Sequence, residues 1–580
     1  MADIGLTDNL AMRVSGMGRS RDGYVDIVDY SLTHPNSNVP SNNARGAQTS
    51  YETMGGQSVV AGRVALEWEP NDRLNVYVAG DFNREDSDAI PTVLLAAGAP
   101  VGNAANFDPT SSNPATDANG NAWLPGVNGQ PVPVDCRFVP AGQYSCDSAN
   151  LSSLGYDPRY VSYSNFADTK VPTGQAPYKP YFALPITEFE GWGVMSNVTY
   201  DFTDALQLVA IGSYRTYTSR WGQDQDATPV PVAQLDNQLD HEAWSAEVRL
   251  NFEFADELVQ GTVGGFYLDQ DGEYTARVDL NYAGIDFIHG PDTTPSTTEA
   301  VFGTLTITPS EVFSITGGIR YTKDEKLYTY FRSNPDGTVP FVDNGSLLGP
   351  ELEVAPAPCN QLRSFDPEEI TTYEIGFKVD ALDRALRLNG AAFYNDYKNI
   401  ILTLPACPSV PCLQPRNVGE AEVKGFELEV TAYPADGFSL DGALSYIDFN
   451  YDDASVAPAG LTGDEITPYT PEWTWSFGAQ YDHELQNGAQ ISARFDGSYQ
   501  STIYTDVFNT VWSEIEGYFV GGARVAFTDP RDQWTLALRV DNIFDEYYFN
   551  SVSDVTTSLG VVTGVPGLPR TWSLSVERRF

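Results

Sequence analysis

The sequence predicts an all-β protein, a transmembrane antiparallel β-barrel of roughly 18 strands. Three observations carry that expectation. First, apolar and polar residues alternate with period two over runs of ten or more residues. From Ala489 to Tyr499, for example, Ile491, Ala493, Phe495, Gly497 and Tyr499 share one face and Gln490, Ser492, Arg494, Asp496 and Ser498 the other. Second, the connections alternate between tight turns and long loops, the pattern of a barrel with periplasmic turns and extracellular loops. Third, 12% of residues are aromatic, yet mean hydropathy is only −0.28. No apolar run reaches the roughly 18 residues of a spanning helix. Lipid tolerates no unpaired backbone group, so a chain of this kind spans as a closed sheet with apolar side chains outward and polar ones in the lumen.

The elements follow in order. Residues 1–6 read as the end of a strand, and Thr7-Asp8-Asn9 turns into the next, near position 9. Strands near 57 and 73 flank Pro70-Asn71-Asp72, and a long Gly-, Pro-, Asn- and Ser-rich loop runs from Asn83 to Glu188. Strands near 189 and 205 flank Asp201-Phe202-Thr203-Asp204; those near 241 and 257 flank Ala255-Asp256-Glu257; those near 298 and 312 flank Pro309-Ser310-Glu311. Arg332 to Phe365 is loop-like. Strands near 370 and 385 flank Asp380-Ala381-Leu382-Asp383, and those near 417 and 437 flank Pro434-Ala435-Asp436-Gly437. The strand near 470, with Trp473, Trp475, Phe477, Ala479 and Tyr481 on one face, turns at Gln486-Asn487-Gly488 into the strand near 489. Strands near 517 and 533 flank Asp529-Pro530-Arg531-Asp532, and the last begins near 569. These turn residues suit tight hairpins. The even count places both chain ends on the short-turn side. Tyr and Trp near strand ends suit interfacial girdles. A large soluble sandwich or propeller needs strands of only about five or six residues and has no reason to sort its loops.

Composition narrows the function. The 580 residues carry 33 Lys and Arg against 78 Asp and Glu, a net charge of −45. Nucleic acid is therefore not expected as a partner. The aromatic content excludes a wholly disordered chain, and five Cys form neither a disulfide scaffold nor a zinc grouping. Enzyme signatures are absent: His241-Glu242-Ala243-Trp244-Ser245 lacks the second His of a zinc protease, and no G-x-S-x-G elbow or P-loop occurs. Asp269-Gln270-Asp271-Gly272 has a partial calcium-loop character but reads first as an acidic loop tip. No catalytic residue, cofactor or metal is expected. Met1 to Asp8 lacks the charged and apolar regions of a secretory signal; with strand-like residues 1–6, this points to a sheet that begins before Met1.

Motifs in the last third carry a resemblance. Phe365-Asp366-Pro367-Glu368-Glu369 with Thr372 to Lys378, then Leu388 to Tyr397, Lys424-Gly425-Phe426-Glu427-Leu428-Glu429, Asp541 to Tyr548, and Pro569-Arg570-Thr571-Trp572 through Phe580 stand in order. Together they resemble the barrel of TonB-dependent outer-membrane receptors, and Gly317 to Tyr321 and Arg19 to Tyr24 extend the likeness upstream. Terminal Phe580 resembles the family's aromatic signal for the barrel-assembly machinery, whereas Arg578 replaces an expected apolar residue. The resemblance implies a 22-stranded barrel holding a plug, preceded by a box that contacts TonB. Residues 1–60 look like neither plug nor box. The expectation is one barrel domain over 1–580, truncated at its N-terminus.

The resemblance implies uptake of a large scarce nutrient, most often a ferric siderophore, across the outer membrane of a Gram-negative cell. Expected partners are outer-membrane lipid, the barrel-assembly machinery, a siderophore-like ligand and, for a full-length protein, the TonB complex. A passive substrate-selective porin and a secreted soluble adhesin are the alternatives. Arg320, Arg387, Arg494, Arg524 and Arg539 alternate with apolar neighbours and should face the lumen, where they contact an anionic ligand or pair with lumenal acids. Cys136 with Cys146, and Cys407 with Cys412, are candidate disulfides clamping outer loops in an oxidising compartment, with Cys359 left over. Tyr160, Tyr163, Tyr178 and Tyr181 either cradle a ligand or pack within a loop.

Overall fold

The wall strands are long because a tilted strand needs about 9–11 residues to cross hydrocarbon, and many continue beyond it. A computed structural model describes residues 2–37, 39, 41, 52–99, 107–109, 111, 134–168, 179, 181–255, 258–281, 285–310, 313–329, 331–337, 366–405, 413–453 and 461–578. The first strands are β1 (Ala2–Thr7), β2 (Leu10–Arg21), β3 (Gln57–Asn71) and β4 (Leu74–Asp88), with a short loop strand β5 (Val93–Ala97) beyond them. Next come β6 (Ile186–Thr203), β7 (Leu206–Asp224), β8 (Ala233–Phe254), β9 (Val259–Leu280), β10 (Ile285–Thr293), β11 (Ser296–Ser310) and β12 (Phe313–Lys326). The C-terminal part holds β13 (Glu369–Ala381), β14 (Leu386–Pro405), β15 (Leu413–Ala435), β16 (Phe438–Asp453), β17 (Trp473–Glu484), β18 (Gln490–Gln500), β19 (Tyr518–Thr528) and β20 (Trp534–Asp541). Loop strands β21 (Phe549–Val555) and β22 (Val561–Pro566) precede the final wall strand β23 (Thr571–Arg578). The tight connections use left-handed backbone at Ala255, Leu382, Asp383, Arg384, Gly437, Gly488 and Asp532.

Among the described residues the strands form two large antiparallel sheets. One has twelve strands: β1-β2-β3-β4-β6-β7-β8-β9 in sequence, after which β9 pairs with β10 along its outer part and with β11 along the rest, β12 follows β11, and the two-residue strand Arg332–Ser333 pairs with β10. The other has nine, β13 through β20 followed by β23. Period two then fixes the faces. Val60, Val64, Leu66 and Trp68 on β3, Trp192 and Val194 on β6, and Trp473, Phe477 and Tyr481 on β17 are exposed on one face. Arg63 on β3 stands opposite Asp81 on β4, on the other face. The exposed face is thus the lipid face. Aromatic residues mark both its borders: Trp192 with Tyr214, and Tyr446 with Trp473, at the long-loop end; Trp68, Phe254, Tyr481 and Trp534 at the turn end.

The buried core lies in the layer of long connections rather than between the sheets. Val28, Tyr30, Leu94, Phe138, Tyr163, Val232 and Leu559 form one cluster from connections far apart in the sequence. The same layer ties the first strands to the last. Tyr24 Oη donates to the Pro566 carbonyl at 2.8 Å, Tyr547 Oη donates to the Arg159 carbonyl at 2.9 Å, and β5 pairs with β22. Outer loops of the two sequence ends therefore meet, as curvature into a cylinder requires.

Several sequence expectations are corrected. β8 begins at Ala233 rather than near 241, and β15 at Leu413 rather than near 417, because both strands extend past the lipid and lose their apolar alternation there. By contrast, residues 1–6 are strand as expected: Ala2–Thr7 pairs with β2. Asp269 to Gly272 is not a loop tip: it lies within β9, with Asp269 opposite Trp244. β20 ends at Asp541. Asn542 has φ 49°, its Nδ2 donates to the Glu546 and Leu568 carbonyls, and its Oδ1 accepts from Glu546 N, which pins the last outer loop. In the loop-like stretch from Arg332, Arg332 and Ser333 pair with His289 and Ile288; residues 338–365 lie outside the described residues.

Candidate functional site

The lumenal face carries the candidate arginines. On β16 to β19 the register sets Asp441, Gly478, Asp496 and Gly522 along one level, with Asp541 beside Gly522, and on β18 to β20 it sets Arg494, Arg524 and Arg539 along the next. Arg494 Nη1 and Nη2 donate to Asp441 at 2.9 and 3.1 Å, and its Nε donates to Asp496 at 2.7 Å. Gly478 makes the reach to Asp441 possible, since a Cβ there would collide with the Arg494 guanidinium. Arg539 Nε donates to Asp541 at 2.7 Å, and Arg387 Nε to Asp380 at 2.8 Å near the turn end. Arg320 donates to Thr322 Oγ1 at 3.0 Å with its guanidinium 5.3 Å from the Phe302 ring centre. Arg524 has no hydrogen-bond or ion-pair partner among the described residues. The structure thus gathers Arg494, Arg524 and Arg539, and keeps Arg320 and Arg387 apart from them. Arg215, which donates to Asp81 at 2.9 Å on the same face, was not singled out; its alternation within β7 carries the same signal.

The outer layer holds a second polar assembly. Cys136 and Cys146 are joined, with Cα atoms 5.2 Å apart. Tyr160, Tyr163 and Tyr181 are buried, with Tyr163 Oη donating to Asp147 at 2.5 Å and the Arg277 guanidinium 4.0 Å from the Tyr181 ring centre. They pack within the loops and present no open ring. Buried Lys179 contacts Asp168 at 2.8 Å, Asp286 at 3.4 Å and Asp279. Burial works to lower its pKa, but the three carboxylates raise it overall. Asp279 is pushed up to about 8, chiefly by burial, with Lys179 opposing. Asp224 and Asp226 are both buried where this loop meets the β7–β8 connection: Asn165 N donates to Asp224, and Ala233 N to Asp226. Burial and the Asp226 charge drive Asp224 well upward. No sequence pattern signals this assembly, because its members come from separate connections.

Cys359, Cys407, Cys412, Tyr178 and Phe580 lie outside the described residues. Arg578 is on the lipid face of β23, opposite Trp534, with its guanidinium 5.0 Å from that ring centre. A long cationic side chain at the turn-end border covers apolar surface with its stem and keeps its head near water, so the position suits Arg despite its lipid-facing register.

Comparison with known proteins agrees with this geometry. Residues 327–543 match the family model described as TonB dependent receptor-like, beta-barrel. Over 228 residues the chain is 28% identical to the metal-pseudopaline receptor CntO of Pseudomonas aeruginosa, covering 38% of this chain and 28% of that protein. Over 216 residues it is 26% identical to the catecholate siderophore receptor Fiu of Escherichia coli, covering 37% and 26%. The match therefore spans well under two thirds of these relatives. In fold, the chain is similar over its whole length, and over 77% of the other chain, to the ferric yersiniabactin uptake receptor FyuA of Yersinia pestis, at TM-score 0.66 and 15% identity. BauA, the ferric preacinetobactin receptor of Acinetobacter baumannii, gives 0.58 at 14% identity, over 100% of this chain and 76% of that one. Residues 327–543 thus resemble a TonB-dependent-receptor barrel, and the chain shares the fold of these solved receptors.

Proposed function

We propose, with a barrel of the TonB-dependent receptor kind as premise, that residues 1–580 act as one barrel unit in outer-membrane uptake of a chelated metal of the ferric-siderophore kind. The observation that carries the reading is the family match at 327–543 on a wall whose lipid face, girdles and sorted loops are those of a membrane barrel. The named relatives bind metal chelates of different chemistry, so the ligand class is left to the outer layer, where such loops diverge. In this reading the ligand docks on the outer layer, and energy arrives from the TonB complex through a plug. Assembly uses the barrel-assembly machinery, with Phe580 as its signal, and Cys407 and Cys412 form a second loop clamp. Arg387, Arg494 and Arg539 serve mainly to keep the lumen wall electrically paired, since each already has an aspartate partner, whereas Arg320 is held by the Thr322 hydroxyl and the Phe302 ring. The chain performs no covalent chemistry in this account.

The test is a titration of the detergent-folded full chain with ferric catecholate, hydroxamate and mixed-donor chelates, read by tryptophan quenching. Saturable binding of one class at micromolar concentration or tighter supports the reading. No binding of any class, together with energy-independent conductance that saturates with a sugar, overturns it in favour of a passive porin.

A further inference from the structure

Arg494, Arg524 and Arg539 are direct cross-strand partners on β18, β19 and β20. Three guanidinium side chains therefore leave the lumenal face side by side, on strands about 4.8 Å apart. Like charges directly opposite each other destabilise a strand pair. The two flanking residues are relieved by aspartates: Arg494 by Asp441 and Asp496, Arg539 by Asp541. Arg524, in the middle, has no such partner among the described residues. Its guanidinium retains a planar fork of donors, the arrangement that binds a carboxylate through two parallel hydrogen bonds.

We propose that Arg524 is a lumenal subsite for a carboxylate, supplied by a small carboxylic acid or by an acidic side chain of a polypeptide segment within the lumen. Asp496 stands opposite Gly522, two residues from Arg524, and Asp541 lies beside the same glycine; both are already held by Arg494 and Arg539. The subsite does not depend on the uptake reading, because a passive pore with this wall presents the same fork.

The experiment is arginine modification with phenylglyoxal on the full chain folded in detergent, resolved by peptide mass spectrometry. Arg524 is expected to react about tenfold faster than Arg494, whose hydrogen bonds to carboxylates must first break. Propionate, or a blocked Gly-Glu-Gly peptide, is expected to slow modification of Arg524 while leaving Arg494 unchanged. Protection by both assigns the subsite to any accessible carboxylate; protection by the peptide alone, or by propionate alone, assigns it to that source. Equal rates at Arg524 and Arg494, or no protection by either compound, overturns the proposal.

Discussion

At single residues, the wall is most demanding where a side chain would enter the lumenal packing. A Cβ at Gly425 would collide with the Tyr446 carbonyl oxygen and lie 2.8 Å from the Phe393 ring, whereas Gly18 has open space around it. Gly425→Ala is therefore expected to cost about 1–3 kcal/mol through overpacking, and Gly18→Ala less than about 0.5 kcal/mol. Urea midpoints of the detergent-folded variants check this, and equal midpoints would refute it. By contrast, Asp441→Asn should change stability by no more than about 1 kcal/mol, since the pair with Arg494 is part-exposed. A cost of several kcal/mol in the same assay would show that the lumen is much drier than this wall implies. The lumenal direction of Arg494 was legible in the alternation of Ile491 to Tyr499. Its partner was not: Asp441 lies 53 positions away, and only strand register brings the two together.

Among the elements, the outer layer behaves as a folded unit with its own electrostatics. Asp279 titrates at about 8 in the folded layer against 3.8 ordinarily, and Asp224 is also raised. The folded state thus binds more protons than the unfolded one over that range, so stability is full below about pH 4 and falls as pH rises through about 8. Hydrogen exchange across 161–168 and 225–235 should accordingly be faster at pH 9 than at pH 6, after correction for intrinsic rates. Equal protection would refute the junction's dependence on these carboxyls. The Cys136–Cys146 bridge closes a short loop and contributes roughly 3 kcal/mol in the chain-entropy account. Reduction should speed proteolysis between 134 and 146 and leave the wall folded; loss of the whole barrel on reduction would contradict a local role. The strands were legible because period two persists wherever one face meets lipid. The Lys179 assembly was not, since nothing periodic links Lys179 with Asp168, Asp279 and Asp286.

For the whole molecule, one physical condition organises the rest: backbone groups in hydrocarbon must pair within the protein, so spanning strands have to close on one another. That condition explains the low mean hydropathy, the exposed Trp and Val rows, the polar lumenal face and the core confined to the loops. Fold class was legible because each observation is a consequence of lipid on one side only. The ligand was not, because it is set by connections free to diverge. The most direct test places nitroxide labels singly from Trp473 to Tyr481 in liposome-reconstituted chain and measures collision with oxygen and with a water-soluble nickel chelate. The account predicts that labels at 473, 475, 477, 479 and 481 meet oxygen in the lipid, and that those at 474, 476, 478 and 480 meet the nickel chelate. Uniform accessibility along the segment, or protection of every position from both reagents, would contradict a wall with lipid on one face and water on the other.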